Sequence, residues 1–193
     1  RLKAGDPTVF ARGGEEAEYL AAAGVPFEVV PGVSSVLTPG RCGLPLTHRD
    51  HASSVTVVTG HEDPAKPESA LDWGALADLV AAGGTLVILM GVGRLPDNLA
   101  ALSRQGLLAE TPVAMVEKAT WAEERTVTGT LDSIEAVARE HDIEPPALTV
   151  VGDVVEVRKH VWPAMDRSAG EDAPWGKHES KPRILSPAVG PSR

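Results

Sequence analysis

Residues 85–90, Thr-Leu-Val-Ile-Leu-Met, form a near-continuous apolar run bounded by Gly83-Gly84 before it and Gly91 after it. The run is short, rich in branched side chains, and lacks the every-second-residue polarity of a strand with one wet face. It therefore reads as a strand buried on both faces. Such a strand needs helices to cover it, and its neighbours supply them. Asp72 is placed to cap a helix running through Ala82, and 95–105 reads as a second helix closed by Gly106.

The rest of the chain repeats this alternation. Segments 54–59, 113–116, 126–130 and 147–151 are strand-like, with β-branched residues prominent. Asp132 opens a helix to about His141, and 13–24 is a helix with acids in its first turn, an alanine-rich middle and Gly24 at its end. Residues 27–30 are a short apolar strand stopped by Pro31-Gly32, after which Ser34-Ser35 can start another helix. Segment 63–69, with Pro64 and Pro67, is a polar loop. Strands alternating with helices predict an α/β protein with a largely parallel or mixed sheet. From Pro163 onward the pattern fails. Those 31 residues hold five Pro, three Gly and four Ser, and 163–193 is expected to be a disordered tail.

Composition excludes several classes. The net charge of −9 over 193 residues argues against non-specific nucleic-acid binding, which needs a basic face. No apolar run approaches the ~20 residues that cross a bilayer. No signal peptide is visible, and the one cysteine, Cys42, permits no internal disulfide, so a cytoplasmic home is expected and Cys42 reads as a small buried apolar residue. Scarce lysine beside abundant acid also suits a high-salt cytoplasm.

In open α/β sheets ligands bind beyond the carboxyl ends of the strands. That rule points to Gly5-Asp6-Pro7, to 31–35 (Pro-Gly-Val-Ser-Ser), to Met90-Gly91 and to Gly152. No phosphate-binding glycine motif, zinc-ligand spacing or serine-hydrolase elbow occurs, and no metal site is expected. His48 and His51 read as polar loop residues. Lys3, Arg12 and Arg49 are basic residues in loops, where arginine can grip a carboxylate through paired hydrogen bonds.

The segments RLKAGDPTVFARGGEEAEYLAAAGVPFEVVPGVSSV, GLPLTHRD and SSVTVVTGH, followed in order by LMGVG, PVAMVEKAT, TVTGTL and PPALTVVGDVV, closely resemble the uroporphyrinogen-III C-methyltransferases of the tetrapyrrole methylase family. The resemblance spans about residues 1–158. GDP with PGVSS marks the family broadly, whereas RGGEE with PLTHRD points to these members. It implies a two-domain α/β fold, a homodimer, S-adenosylmethionine as methyl donor in the cleft between domains, and uroporphyrinogen III as substrate. The implied donor contacts are Ala4, Gly5, Asp6 and Val9, then Ser34 and Ser35, then Met90, Ala119 and Ala147. Arg12, Glu15 and Arg49 match positions expected to face the acidic tetrapyrrole, with Arg12 as grip and catalytic candidate. Ala4 replaces the family's first glycine, which matters if that position needs a positive φ.

The implied reaction is methylation at C2 and C7 to give precorrin-2, the branch point toward sirohaem and cobalamin. Two alternatives stand beside it: a later precorrin methyltransferase of cobalamin synthesis, and an inactive fragment. The family's glycine-rich loop and its acid/base residues precede the GDP turn, so 1–50 is expected to be the remainder of a first domain, 51–162 the second domain, and the chain alone a weak binder of the donor.

Overall fold

A computed structural model describes residues 1–61 and 69–168. Five strands form one sheet: β1 Val55–Thr59, β2 Thr85–Leu89, β3 Pro112–Glu117, β4 Arg125–Thr130 and β5 Ala147–Val151, in the spatial order β1-β2-β5-β3-β4. β1 and β2 are parallel; β5 runs antiparallel to both of its neighbours, β2 and β3, and β4 runs antiparallel to β3. The sheet is therefore mixed, and the last strand in the chain lies at its centre. The helices are α1 Gly13–Ala22, α2 Trp73–Ala81, α3 Leu95–Arg104, α4 Ile134–Glu140 and α5 Val154–Ser168.

The apolar run forms a strand over Thr85–Leu89 that is buried along its whole length, as expected, whereas Met90 lies beyond the strand and is exposed. Its side chains divide by pleat. Leu86 and Ile88 join Leu76, Val80, Leu99 and Leu102 on the face that α2 and α3 cover. Val87 and Leu89 point the other way, into a second cluster with Val150, Val154 and Val155. That opposite face is closed by a 3-10 stretch, Ser35–Cys42, with Leu44 and Ala52, and by the start of α5. Each strand side chain thus meets a covering layer whichever way the pleat turns it.

Local chemistry explains the boundaries. Asp72 Oδ1 accepts from the Ala75 N–H at 3.0 Å, which caps α2 as its position predicts. Ser34 caps the 3-10 stretch by accepting from the Val36 N–H at 3.3 Å. Pro39 lies inside that stretch, where its ring and missing N–H discourage a regular α-helix. α5 packs hard against the same stretch. A Cβ on Gly43 would lie 3.0 Å from Val161 Cγ2 and 3.5 Å from Met165 Sδ. The Arg158 guanidinium donates to the Cys42 carbonyl and stacks 4.0 Å above the Trp162 ring.

Two expectations fail. Residues 27–30 form no strand: they are irregular, with Phe27 47% and Val30 70% exposed. A strand exists only where a neighbour takes its backbone hydrogen bonds, and none of the five strands runs beside this segment. The chain after Gly152 carries α5, which sequence periodicity did not reveal, and the helix continues through Pro163 to Ser168. Proline removes one hydrogen bond there, but the helix packs against Gly43 on either side of it: a Cβ on Gly43 would lie 3.7 Å from Trp162 N and 3.5 Å from Met165 Sδ. The remainder of the expected tail, 169–193, and most of the polar loop, 62–68, lie outside the described residues. The apolar packing also runs across position 50, because Val36, Cys42 and Leu44 are buried against the sheet.

Leu102 is fully buried in the cluster between α3 and the sheet. Leu102→Ala is expected to cost about 3 kcal/mol and to lower Tm by roughly 6–12 °C. Chemical denaturation checks this, and a loss under about 1 kcal/mol would show that the interface is loosely packed.

Candidate functional site

The mixed sheet decides which loops meet. Because β5 opposes β2 and β3, the carboxyl ends of β1, β2 and β3 gather with the amino end of β5. Leu89 pairs with Leu148, and Glu117 pairs with Ala147. Met90 therefore follows β2 beside the start of β5, and Ala119 follows β3 on its other side. Adjacent strands are about 5 Å apart, so three of the residues proposed to touch the donor share one sheet end. The Lys118 N–H donates to the Pro146 carbonyl at 2.9 Å and extends the β3–β5 pairing into this region. Gly152 does not belong here. As the residue after an antiparallel strand it lies at the opposite end, where a Cβ would meet the Gly84 carbonyl oxygen at 2.8 Å.

The backbone at this end is strained. Met90, Lys118 and Thr120 have φ of 56°, 46° and 74°, in the left-handed region that non-glycine residues avoid. Such residues persist only where surrounding structure over-determines them, and they gather at ligand sites. Met90 is 52% exposed, so its thioether is free to face a ligand. Beneath it, the ends of β1 and β2 cross closely. A Cβ on Gly60 would fall 2.6 Å from the Gly91 Cα, and the buried Asn98 amide donates to the Gly60 carbonyl at 3.3 Å. Sequence reasoning singled out neither Gly60 nor Asn98. Glycine directly after each of two parallel strands was the available signal.

A second group gathers around Asp6. Its carboxylate accepts from the Thr8 N–H at 2.8 Å, the Thr8 hydroxyl at 2.5 Å and the Gly32 N–H at 3.0 Å. The Thr8 hydroxyl, then the Gly32 and Thr8 N–H groups, hold the Asp6 carboxyl below its ordinary range. Gly32 is indispensable: a Cβ there would lie 2.1 Å from the Gly5 carbonyl oxygen. Gly5 has φ of 71°, whereas Ala4 is not among the positive-φ residues, so the alanine is tolerated there. Gly5, Asp6, Val9, Ser34 and Ser35 thus belong to two turns tied by one carboxylate. Val36, next after Ser35, is buried in the cluster that also holds Leu89 and Leu148 and packs Ala119. This anchors the chain just after the serine pair to that face of the sheet.

Arg12 and Glu15 line a cavity of about 600 Å³ with Lys3, Glu16 and Tyr19. Arg12 has φ of 58° and its side chain is 83% exposed, 3.4 Å from Glu15. Gly13 must be glycine, because a Cβ would sit 2.1 Å from the Pro7 carbonyl oxygen. Lys3 Nζ pairs with Glu16 at 2.7 Å and lowers that carboxyl's pKa. Arg49 is placed elsewhere, exposed on the turn closed by the His48–Ala52 bridge. His48 and His51 share that turn with ring centroids 4.8 Å apart, and among the described residues no group of three or more potential ligands could hold a metal. Cys42 is buried, and burial raises its thiol pKa, as its reading as a small apolar residue requires.

One charged pair escaped the sequence reading. Glu117, 1% exposed, ends β3 and meets Arg125 at 2.5 Å directly across the ladder. Glu117 also accepts from the Glu144 N–H at 3.2 Å, and Arg125 donates to the carbonyls of His141 and Asp142, each at 2.7 Å. Opposite charges at both ends of the 113–116 to 126–130 connection were the visible signal, but their facing register needed the ladder. Arg125 holds the Glu117 carboxyl below its ordinary 4.5. A lowered folded-state value contributes stability that is full above about pH 4.5 and is lost as the pH falls toward the folded value. The stability gap between the native protein and Glu117→Gln is therefore expected to be widest near neutrality and to close below pH 4.5. Denaturation midpoints across pH 3–7 (roughly the span of carboxylate titration) measure it, and a pH-independent gap would contradict the pairing.

Comparison with known proteins places this geometry. The family model of tetrapyrrole (corrin/porphyrin) methylases matches residues 1–135. An S-adenosyl-L-methionine-dependent uroporphyrinogen III methyltransferase of Methanosarcina barkeri is 52% identical over 158 residues, covering 81% of this chain and 61% of that protein. A sirohaem synthase of Pseudomonas aeruginosa is 45% identical over 174 residues, 90% of this chain and 36% of its own length. The solved uroporphyrin-III C-methyl transferase of Thermus thermophilus, complexed with S-adenyl homocysteine, is similar with a TM-score of 0.66 and 41% identity over 79% of this chain and 64% of that one. The chain spans less than two thirds of each of these proteins. With the family model matched over residues 1–135 and a relative 52% identical, the chain belongs to the tetrapyrrole methylase family.

Proposed function

We propose that the protein carrying this chain transfers methyl groups from S-adenosylmethionine to uroporphyrinogen III, at C2 and C7, to give precorrin-2 for sirohaem or cobalamin synthesis. The observation that carries this reading is the meeting of Met90, Ala119 and Ala147 at one sheet end, in the order the family resemblance demands. The site suits an adenosyl sulfonium. Alanines at 119 and 147 leave room beside the backbone, the exposed Met90 thioether offers a polarisable surface, and the Gly5-Asp6 and Ser34-Ser35 turns present backbone polar groups. Ala4 and Val9 complete the assigned contacts.

When bound, the donor supplies an electrophilic methyl group, attacked in line by an electron-rich pyrrole carbon. The protein's contribution is then mainly orientation. Arg12 and Arg49 grip the acetate and propionate groups, and Glu15 steers Arg12 through their ion pair. No metal takes part in this scheme. Residues 1–50 are read as part of one α/β domain and 51–162 as the second, whose last helix runs on to Ser168, with the donor lying between them. A homodimer in the cytoplasm completes the proposal; among the described residues no helix is long and apolar enough to cross a membrane.

Incubation with uroporphyrinogen III and methyl-labelled donor is expected to label the tetrapyrrole twice, and absence of label would overturn the reading. Arg12→Ala is expected to lower turnover roughly ten- to a hundredfold while leaving donor affinity within about twofold. An unchanged rate at saturating donor would show Arg12 to be surface charge.

A further inference from the structure

The Glu117–Arg125 pair joins a buried carboxylate to an arginine whose side chain is 47% exposed, and half-exposed pairs contribute only modest stability. Here the pair sits at the base of the Lys118–Glu124 connection, which holds two left-handed non-glycine residues, Lys118 and Thr120. Arg125 donates to three groups on two chain segments at once. It bonds Glu117 on β3 and the carbonyls of His141 and Asp142 after α4. Glu117 in turn holds the Glu144 N–H, just ahead of β5. Farther out, Glu124 closes the connection by accepting from the Thr120 N–H at 2.6 Å. The two loops fixed this way are the ones that carry Ala119 and Ala147, and Ala147 is the ladder partner of Glu117 itself.

We propose that Glu117 and Arg125 are positioning residues for the methyl-donor pocket: they tie the 118–124 turn that carries Ala119 to the 141–144 segment that leads into Ala147, and so fix where both residues stand at this sheet end. The inference rests on the donor-site assignment above. The planar guanidinium is required because one group must reach a carboxylate and two carbonyls in a fixed fork, which a lysine ammonium on a flexible stem does not reproduce. A 118–124 turn displaced by a fraction of an ångström loses contacts with the donor but leaves the Arg12 cavity untouched.

The test uses the protein carrying this chain, with S-adenosylhomocysteine as probe in isothermal titration, alongside Tm and steady-state kinetics. Arg125→Lys and Glu117→Gln are expected to raise the probe Kd and the donor KM about tenfold, with the KM for uroporphyrinogen III within about twofold of native. Leu102→Ala serves as the stability control, lowering Tm without moving the probe Kd. Native probe affinity in both pair variants would overturn the proposal, as would a Kd that follows Tm in all three. If the native protein itself fails to bind the probe, the donor-site assignment falls and this proposal with it. Binding by native protein with unmoved variants removes this proposal alone.

Discussion

The structure depends on where β5 inserts. A strand with two neighbours must satisfy its backbone on both sides, and β5 does so by running antiparallel between β2 and β3. It is also wrapped on both faces, with Val151 toward the α2–α4 layer and Leu148 and Val150 toward α5 and the 3-10 stretch. That single insertion reverses the polarity of the sheet's centre. Loops that would sit at opposite ends of an all-parallel sheet are brought together, so the start of β5 joins the ends of β2 and β3.

Polar and strained features follow from that arrangement. The carboxyl ends of β1 and β2 approach so closely that Gly60 and Gly91 have no room for side chains. The turn out of β3 passes through the left-handed residues Lys118 and Thr120, with the Glu117–Arg125 pair at its base. At the other end Gly152 packs against Gly84. Strained backbone lies at the end that gathers Met90, Ala119 and Ala147, and plain close packing lies at the opposite end.

The residues before the sheet behave differently. α1 has no buried residue, and Tyr19, Phe27, Val30 and Val33 are all substantially exposed. What orders this region is polar and local: the Asp6 carboxylate bridging Thr8 and Gly32, and the Lys3–Glu16 ion pair. From Val36 onward the chain is anchored by apolar burial instead. The two candidate groups of donor contacts therefore rest on different kinds of support, one on hydrogen-bonded turns and one on a packed sheet.

Much of this was legible in the residues. Periodicity and composition located all five strands, because an apolar run between glycines or an alternating β-branched segment encodes burial directly. Asp72 and Ser34 announced helix starts, since capping is local chemistry. The family motifs named Met90, Ala119 and Ala147. The residues alone did not show that 27–30 would lack a partner, that α5 would survive Pro163, or that Gly152 would lie at the sheet end opposite Met90, Ala119 and Ala147. Each of these depends on which segments become neighbours, and neighbours far apart in the chain leave no local signature. Glu117 and Arg125 show the limit plainly: as residues they are two ordinary charges, and only the register of β3 against β4 turns them into a pair.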